Sequence, residues 1–323
     1  MTSTNTHHQR GGSWREAGLR YHGLGFHFRR RFGCRVWKVS VDARLDCPNR
    51  DGTIAHDGCI FCDPKSFSPS RRIGLESIAG QIEEGTSRLR TRYRADRFVA
   101  YFQPATNTYA PLQRLRDLYE EALAQPDIVG LAIGTRPDCV EDDVLDLLAE
   151  FAQRTWLSVE FGMQTIHDRS LDWLNRGHRH DALLDAVRRC RQRKLNLGAH
   201  VILCLPGETR EDMLATAREL ARLEIDSVKL HNLYAVKNTP LARLVEVGEV
   251  KLADRDEYVD RVVDFLEELP PECVIDRLSG DAPPEFLVGP AWCLNKSAVR
   301  RLIEAELLRR DTWQGRAHDQ RIS

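Results

Sequence analysis

Short apolar runs alternate with longer amphipathic stretches from about residue 36 to residue 235. The runs Val36–Asp42, Arg97–Gln103, Ile128–Gly134, Trp156–Phe161, Leu197–Leu205 and Ser227–Leu233 have the length and composition of buried strands. Between them, Leu75–Thr91, Leu112–Ala124, Val140–Ala152, Asp181–Lys194 and Arg210–Leu223 repeat apolar residues at helical spacing. Leu183, Val187 and Cys190, for example, share one face. Buried strands each followed by a helix predict parallel pairing through right-handed crossovers. Six strands fall two short of a closed eightfold barrel, so the expected fold is α/β, an open partial (β/α)6 TIM-like barrel.

This pattern divides the chain into a flexible polar N-terminus at 1–20, a barrel core at 21–235 and a small C-terminal extension at 236–323. The extension reads as an acidic helix over Asp254–Leu269 stopped by Pro270 and Pro271, a candidate strand at Val274–Leu278, an irregular Pro283–Pro290 and a final helix, Lys296–Arg310, with a basic face. No run is long and apolar enough for a membrane helix, and residues 1–35 have no signal-peptide core, so the expected location is cytoplasmic.

Charge changes the picture at one place. The net charge is −1. Residues 1–40 nevertheless carry Arg10, Arg15, Arg20, Arg29, Arg30, Arg31, Arg35 and Lys38 against Glu16 alone. Such a basic arm is either solvated surface or a phosphate-binding face.

The candidate chemistry lies in the loop after the first strand. Cys47 and Cys59-Ile-Phe-Cys62 sit where barrel enzymes build their active sites, with Gly52 and Gly58 allowing the loop to fold back. Three thiolates without an evident fourth leave one iron of a cubane [4Fe–4S] cluster open to another ligand. Two other readings stand beside it: a structural zinc site with His56 as fourth ligand, and a thioredoxin-like Cys-x-x-Cys. Cys34, Cys139, Cys190 and Cys273 read as small core residues, and His178 and His231 as structural histidines or proton carriers.

The triplet resembles the cluster loop of radical S-adenosylmethionine (SAM) enzymes, in the longer-spaced form of the elongator-type branch. Thr135-Arg-Pro-Asp138, Val159-Glu-Phe-Gly-Met-Gln-Thr165, Asn175-Arg-Gly-His178 and Ile202-Leu-Cys-Leu-Pro-Gly-Glu208 are similar to segments of that branch, in order, over about residues 36–235. The Cys47–Thr53 segment, the run from Tyr101 to Tyr109 and the terminal Trp292-Cys-Leu-Asn-Lys296 resemble the bacterial YhcC/YtqA-type members over nearly the whole chain.

That resemblance implies that Cys47, Cys59 and Cys62 hold a [4Fe–4S] cluster, and that SAM binds its open iron and is cleaved to a 5′-deoxyadenosyl radical. It further implies that Gln103, Thr106, Asn107, Arg136, Glu160, Gln164 and Val201 contact SAM. Gln103-Pro-Ala-Thr-Asn107 stands where the family's glycine-rich segment is expected. A one-electron reductant of the flavodoxin or ferredoxin type is the implied partner. The implied substrate is tRNA at a wobble-uridine side chain, with Arg29–Arg31 and Arg300, Arg301, Arg309 and Arg310 meeting phosphate. The alternatives are a radical enzyme acting on a small metabolite or peptide, and a non-catalytic iron–sulfur or zinc protein that binds RNA.

Overall fold

The computed structural model describes residues 13–75 and 77–322. Residues 1–12, which include Arg10 and most of the expected flexible N-terminus, lie outside the described residues. Seven strands form one sheet in the order β1 (Val36–Val41), β2 (Arg97–Phe102), β3 (Ile128–Thr135), β4 (Trp156–Gln164), β5 (Asn196–Leu203), β6 (Ser227–Asn232) and β8 (Val274–Arg277). Every neighbouring pair is parallel. A separate antiparallel pair joins β7 (Ala235–Val236) to β9 (Leu287–Gly289). The sheet curls into a half-barrel with helices outside.

The strands alternate between two apolar environments, as the pleat requires. Phe98, Ala100 and Phe102 of β2, Leu131 and Ile133 of β3, and Val159 and Phe161 of β4 point outward into the main core under the helices. Val99, Tyr101 and Ala132 point inward and meet a second cluster at the base. That base is closed by α1 (Leu24–Phe32). Phe28 packs edge-on against Trp156 at 5.1 Å, beside Val36 at the start of β1. Arg29, Arg30 and Arg31 project from α1 into solvent at this closed end.

Three expectations change. The main sheet has seven strands, not six, because Val274–Arg277 pairs in parallel with β6. The C-terminal extension expected after residue 235 thus also completes the barrel wall, and its helix Arg255–Glu268 packs beside the helix Arg210–Arg222. The described part of the N-terminus is anchored. Trp14 is buried and donates its indole N–H to the Pro271 carbonyl, and Arg15 and Arg20 pair with Asp319 and Asp311. One indole in a mostly polar stretch is a weak periodic signal, and only the fold places its acceptor 257 positions away.

Candidate active site

Cys47, Cys59 and Cys62 line one cavity of about 600 Å³ at the C-terminal ends of the strands. Backbone bonds shape the loop. The Cys47 carbonyl accepts from the amides of Arg50 and Asp51, the Asn49 carbonyl from Gly58, and the Cys59 carbonyl from Cys62. A second segment holds it from outside. Asn175 donates its amide to the Gly58 carbonyl at 2.7 Å, Asn49 donates to the Asn175 carbonyl at 2.6 Å, and the Ile60 amide bonds the Leu174 carbonyl. Gly177 has φ +72°, and a Cβ there would lie 2.5 Å from Asn49 Oδ1, so only glycine lets the loop seat. The Asn175–His178 motif is thus the receptor for the cysteine loop.

The inferred SAM residues separate into those that face this cavity and those that do not. Gln103, Thr106, Arg136, Glu160 and Gln164 line it. Asn107 does not; it is fully buried and donates to the carbonyls of Phe102, Pro104 and Gly134, fastening the loop after β2. Val201 does not either. It points outward into the main core, and Ile202, one residue on, takes the place facing the cavity. Arg136 is held by Asp138 through two hydrogen bonds, so its fork already has a carboxylate partner. Glu160 is likewise engaged, accepting from Lys38, His200 and Lys229. His56, the candidate zinc ligand, lies against Gly52 and is not part of the cavity lining.

Beneath the cysteines lies a floor of charged residues inside the barrel. Lys38 is clasped between Glu160 and Asp276. Burial opposes its charge, but the two carboxylates outweigh burial and raise its pKa. Lys229 has no carboxylate to itself. Its Nζ donates to the Tyr101 hydroxyl at 2.6 Å and reaches the shared Glu160 at 3.5 Å. Burial pushes this amine down to about 7, and Glu160 only partly offsets it. His200 is lowered to about 4 by burial and by Lys229. Sequence pattern counts Lys38 with the basic arm and does not mark Tyr101, Lys229 and Asp276 as site residues. The signal was available as single ionisable residues at inward positions of otherwise apolar strands.

The site fits the cofactors that its cysteines suggest. Three thiols on one loop face a cavity large enough for a nucleoside-sized ligand, and the buried Thr106 hydroxyl, also on the lining, has no partner. Among the described residues no group of three or more His, Cys, Asp and Glu side chains is drawn together to hold a single metal ion. A cubane makes a different demand, since it spreads its thiolates over separate irons.

A parallel half-barrel with a thiol-bearing loop at its mouth defines a class of cofactor-dependent barrel enzymes. Comparison with known proteins makes the class specific. Residues 51–220 match the Radical SAM superfamily and residues 225–309 the Radical_SAM C-terminal domain. The uncharacterized protein YtqA of Bacillus subtilis is 40% identical over 92% of both chains. A tRNA uridine(34) acetyltransferase of Dehalococcoides mccartyi is 28% identical over 56% of this chain and 40% of its own. The structure of archaeal Methanocaldococcus infernus Elp3 with an N-terminal deletion superposes with a TM-score of 0.64 at 16% identity, over 86% of this chain and 64% of that one, a likeness of fold. This chain belongs to the radical SAM superfamily. It is an enzyme of the kind that cleaves SAM reductively, and its cofactors are a [4Fe–4S] cluster and SAM. Among the described residues no helix is long and apolar enough to cross a membrane.

Proposed function

We propose that Cys47, Cys59 and Cys62 hold the cluster, that SAM occupies the cavity above the barrel floor, and that the substrate is a tRNA carrying the wobble uridine to be modified. When bound, the cluster and SAM supply the carbon radical. The chain's own residues do the rest. Gln103, Thr106 and Gln164 offer hydrogen-bonding groups to SAM, the barrel walls exclude water, and the Lys229 amine and Tyr101 hydroxyl form the floor on which the substrate's reacting end would rest.

The observation that carries the RNA reading is the charge of the cavity. Apart from Lys229, whose amine is pushed down to about 7, seven cationic side chains line it against three acidic ones, and Arg50, Arg72 and Lys296 stand exposed among them. That surplus suits a polyanion entering at the mouth. Kinship with a protein named as a tRNA uridine(34) acetyltransferase supports it. Of the phosphate contacts inferred from sequence, Arg300 and Arg301 are exposed on the helix Lys296–Arg309. Arg29–Arg31 are on α1 at the closed base, while Arg310 is taken up by Asp260, Asp264 and Glu306, and Arg309 by Glu306. Those residues are replaced in this proposal by the mouth cations. Mass spectrometry of tRNA nucleosides from strains with and without the gene tests the reading. A changed uridine derivative is expected, and identical nucleoside profiles would direct the search to metabolites or peptides.

A further inference from the structure

The buried guanidinium of Arg176 has no carboxylate partner among its hydrogen bonds. Its Nε and Nη2 donate to the Gly162 carbonyl at 3.1 and 2.8 Å. Its Nη1 points at Cys59 Sγ, 3.5 Å away. The pose is fixed from several sides. Gly162 permits it, since a Cβ there would meet Arg176 Nη2 at 2.8 Å. Arg136, locked by Asp138, holds the Arg176 carbonyl through its own Nη1 at 2.8 Å. A second donor converges on the same sulfur: Asn49 Nδ2, wholly buried, lies 3.6 Å from Cys59 Sγ. Cys59 thus receives two N–H groups, one of them cationic.

A guanidinium this deeply buried is costly unless an anion stands beside it. Carbonyl oxygens do not neutralise its charge, and Asp138, which feels it, is already gripped by Arg136; the acidic group its own hydrogen bonds reach is the Cys59 thiol. Hydrogen bonds and positive charge at a cluster sulfur stabilise the more negative, reduced form and so raise the reduction potential. We infer that Arg176, assisted by Asn49, sets the potential of the cluster through Cys59, acting as a tuning and positioning residue. This rests on the proposed role of Cys59 as a cluster ligand. The consequence is functional: the electron that the cluster must accept from a biological reductant is made easier to deliver, while among the described residues the sulfurs of Cys47 and Cys62 receive no comparable pair of donors. Asymmetric donation of this kind pins the tuning to one cysteine of the three.

The test is an EPR-monitored redox titration of anaerobically reconstituted holoenzyme, with iron counted per chain. Arg176→Gln removes the charge and is expected to retain the iron while reducing about tenfold less favourably, a fall of about 59 mV for one electron. Arg176→Lys keeps the charge but loses the fork that orients it, so its midpoint is expected between those of the wild type and the glutamine variant. It also serves as the decisive variant if Arg176→Gln fails to assemble a cluster. Wild-type midpoints in iron-loaded Arg176→Gln, or in iron-loaded Arg176→Lys where the first does not assemble, overturn the inference and leave the cysteine assignment standing. A wild-type chain that assembles no cluster at all overturns the assignment itself, and the inference with it.

Discussion

The two ends of this barrel are built from the same seven strands and do opposite things. At the base the inward side chains are Val36, Val99 and Trp156, and α1 drives Phe28 into them. At the other end the inward positions carry Glu160, His200, Lys229 and His231, and the loops beyond them leave a cavity lined by three thiols. The difference lies in what can be satisfied. An apolar base is stabilised by exclusion of water and needs only a plug. A floor of charges is stable only if each finds a partner, and here Lys229 does so incompletely, because Lys38 competes with it for Glu160. Stability is concentrated at the closed end and chemistry at the open one.

The sharpest way to break this comparison is to remove a thiol. Cys47→Ala, Cys59→Ala or Cys62→Ala is expected to abolish the cluster, so that iron falls from about four per chain to near zero. A variant that keeps its iron would show that the mouth is not the cluster site. At the base, Phe28→Ala should cost about 3–5 kcal/mol of stability, read by urea unfolding, because a fully buried ring leaves a cavity under the strands. A loss below about 1 kcal/mol would mean that α1 is not a plug.

The floor offers a test of sign. Lys229 has its folded pKa depressed from 10.5 to about 7. Between those values the unfolded chain binds more protons, so this group destabilises the fold increasingly as pH falls from about 10.5 and fully below about 7. Lys229→Met should therefore be more stable than wild type by about 1–3 kcal/mol at pH 7, with the gain fading toward pH 10.5. A gain that does not change with pH would contradict the depressed pKa of Lys229.

The smallest effects separate the two basic regions. Arg50→Glu combined with Arg72→Glu should weaken tRNA binding roughly tenfold at moderate salt and flatten its salt dependence. Reversing Arg29, Arg30 and Arg31 should change it less than about twofold, since α1 faces away from the mouth. Equal losses in filter-binding titrations of the two variants would erase the distinction between the ends.

Much of this was legible in the chain. Apolar runs of strand length and helical repeats between them set the parallel architecture, and cysteine spacing after the first strand set the loop. The seventh strand was less visible, because Val-Ile-Asp-Arg is short and half polar, and only its place beside β6 makes it part of the wall. Which side of a strand a residue faces was harder. Val201 and Ile202 are adjacent, and a shift of one position exchanges core for cavity. The partners of Glu160 and Arg136 were hidden for another reason: Lys38, Lys229 and His200 come from other strands, and which carboxylate an arginine takes is not written in spacing.

The sequence by itself determined the elements, their parallel order and the three thiols on one loop, because periodicity and spacing are local and survive without knowledge of neighbours. Only the tertiary structure decided that Lys38 meets Asp276 from 238 positions away, that Arg176 reaches Cys59 across 117, and that the basic helix closes the base instead of guarding the mouth. Charges act through space over a few ångströms, and the chain's linear order carries no measure of those distances until the barrel has closed.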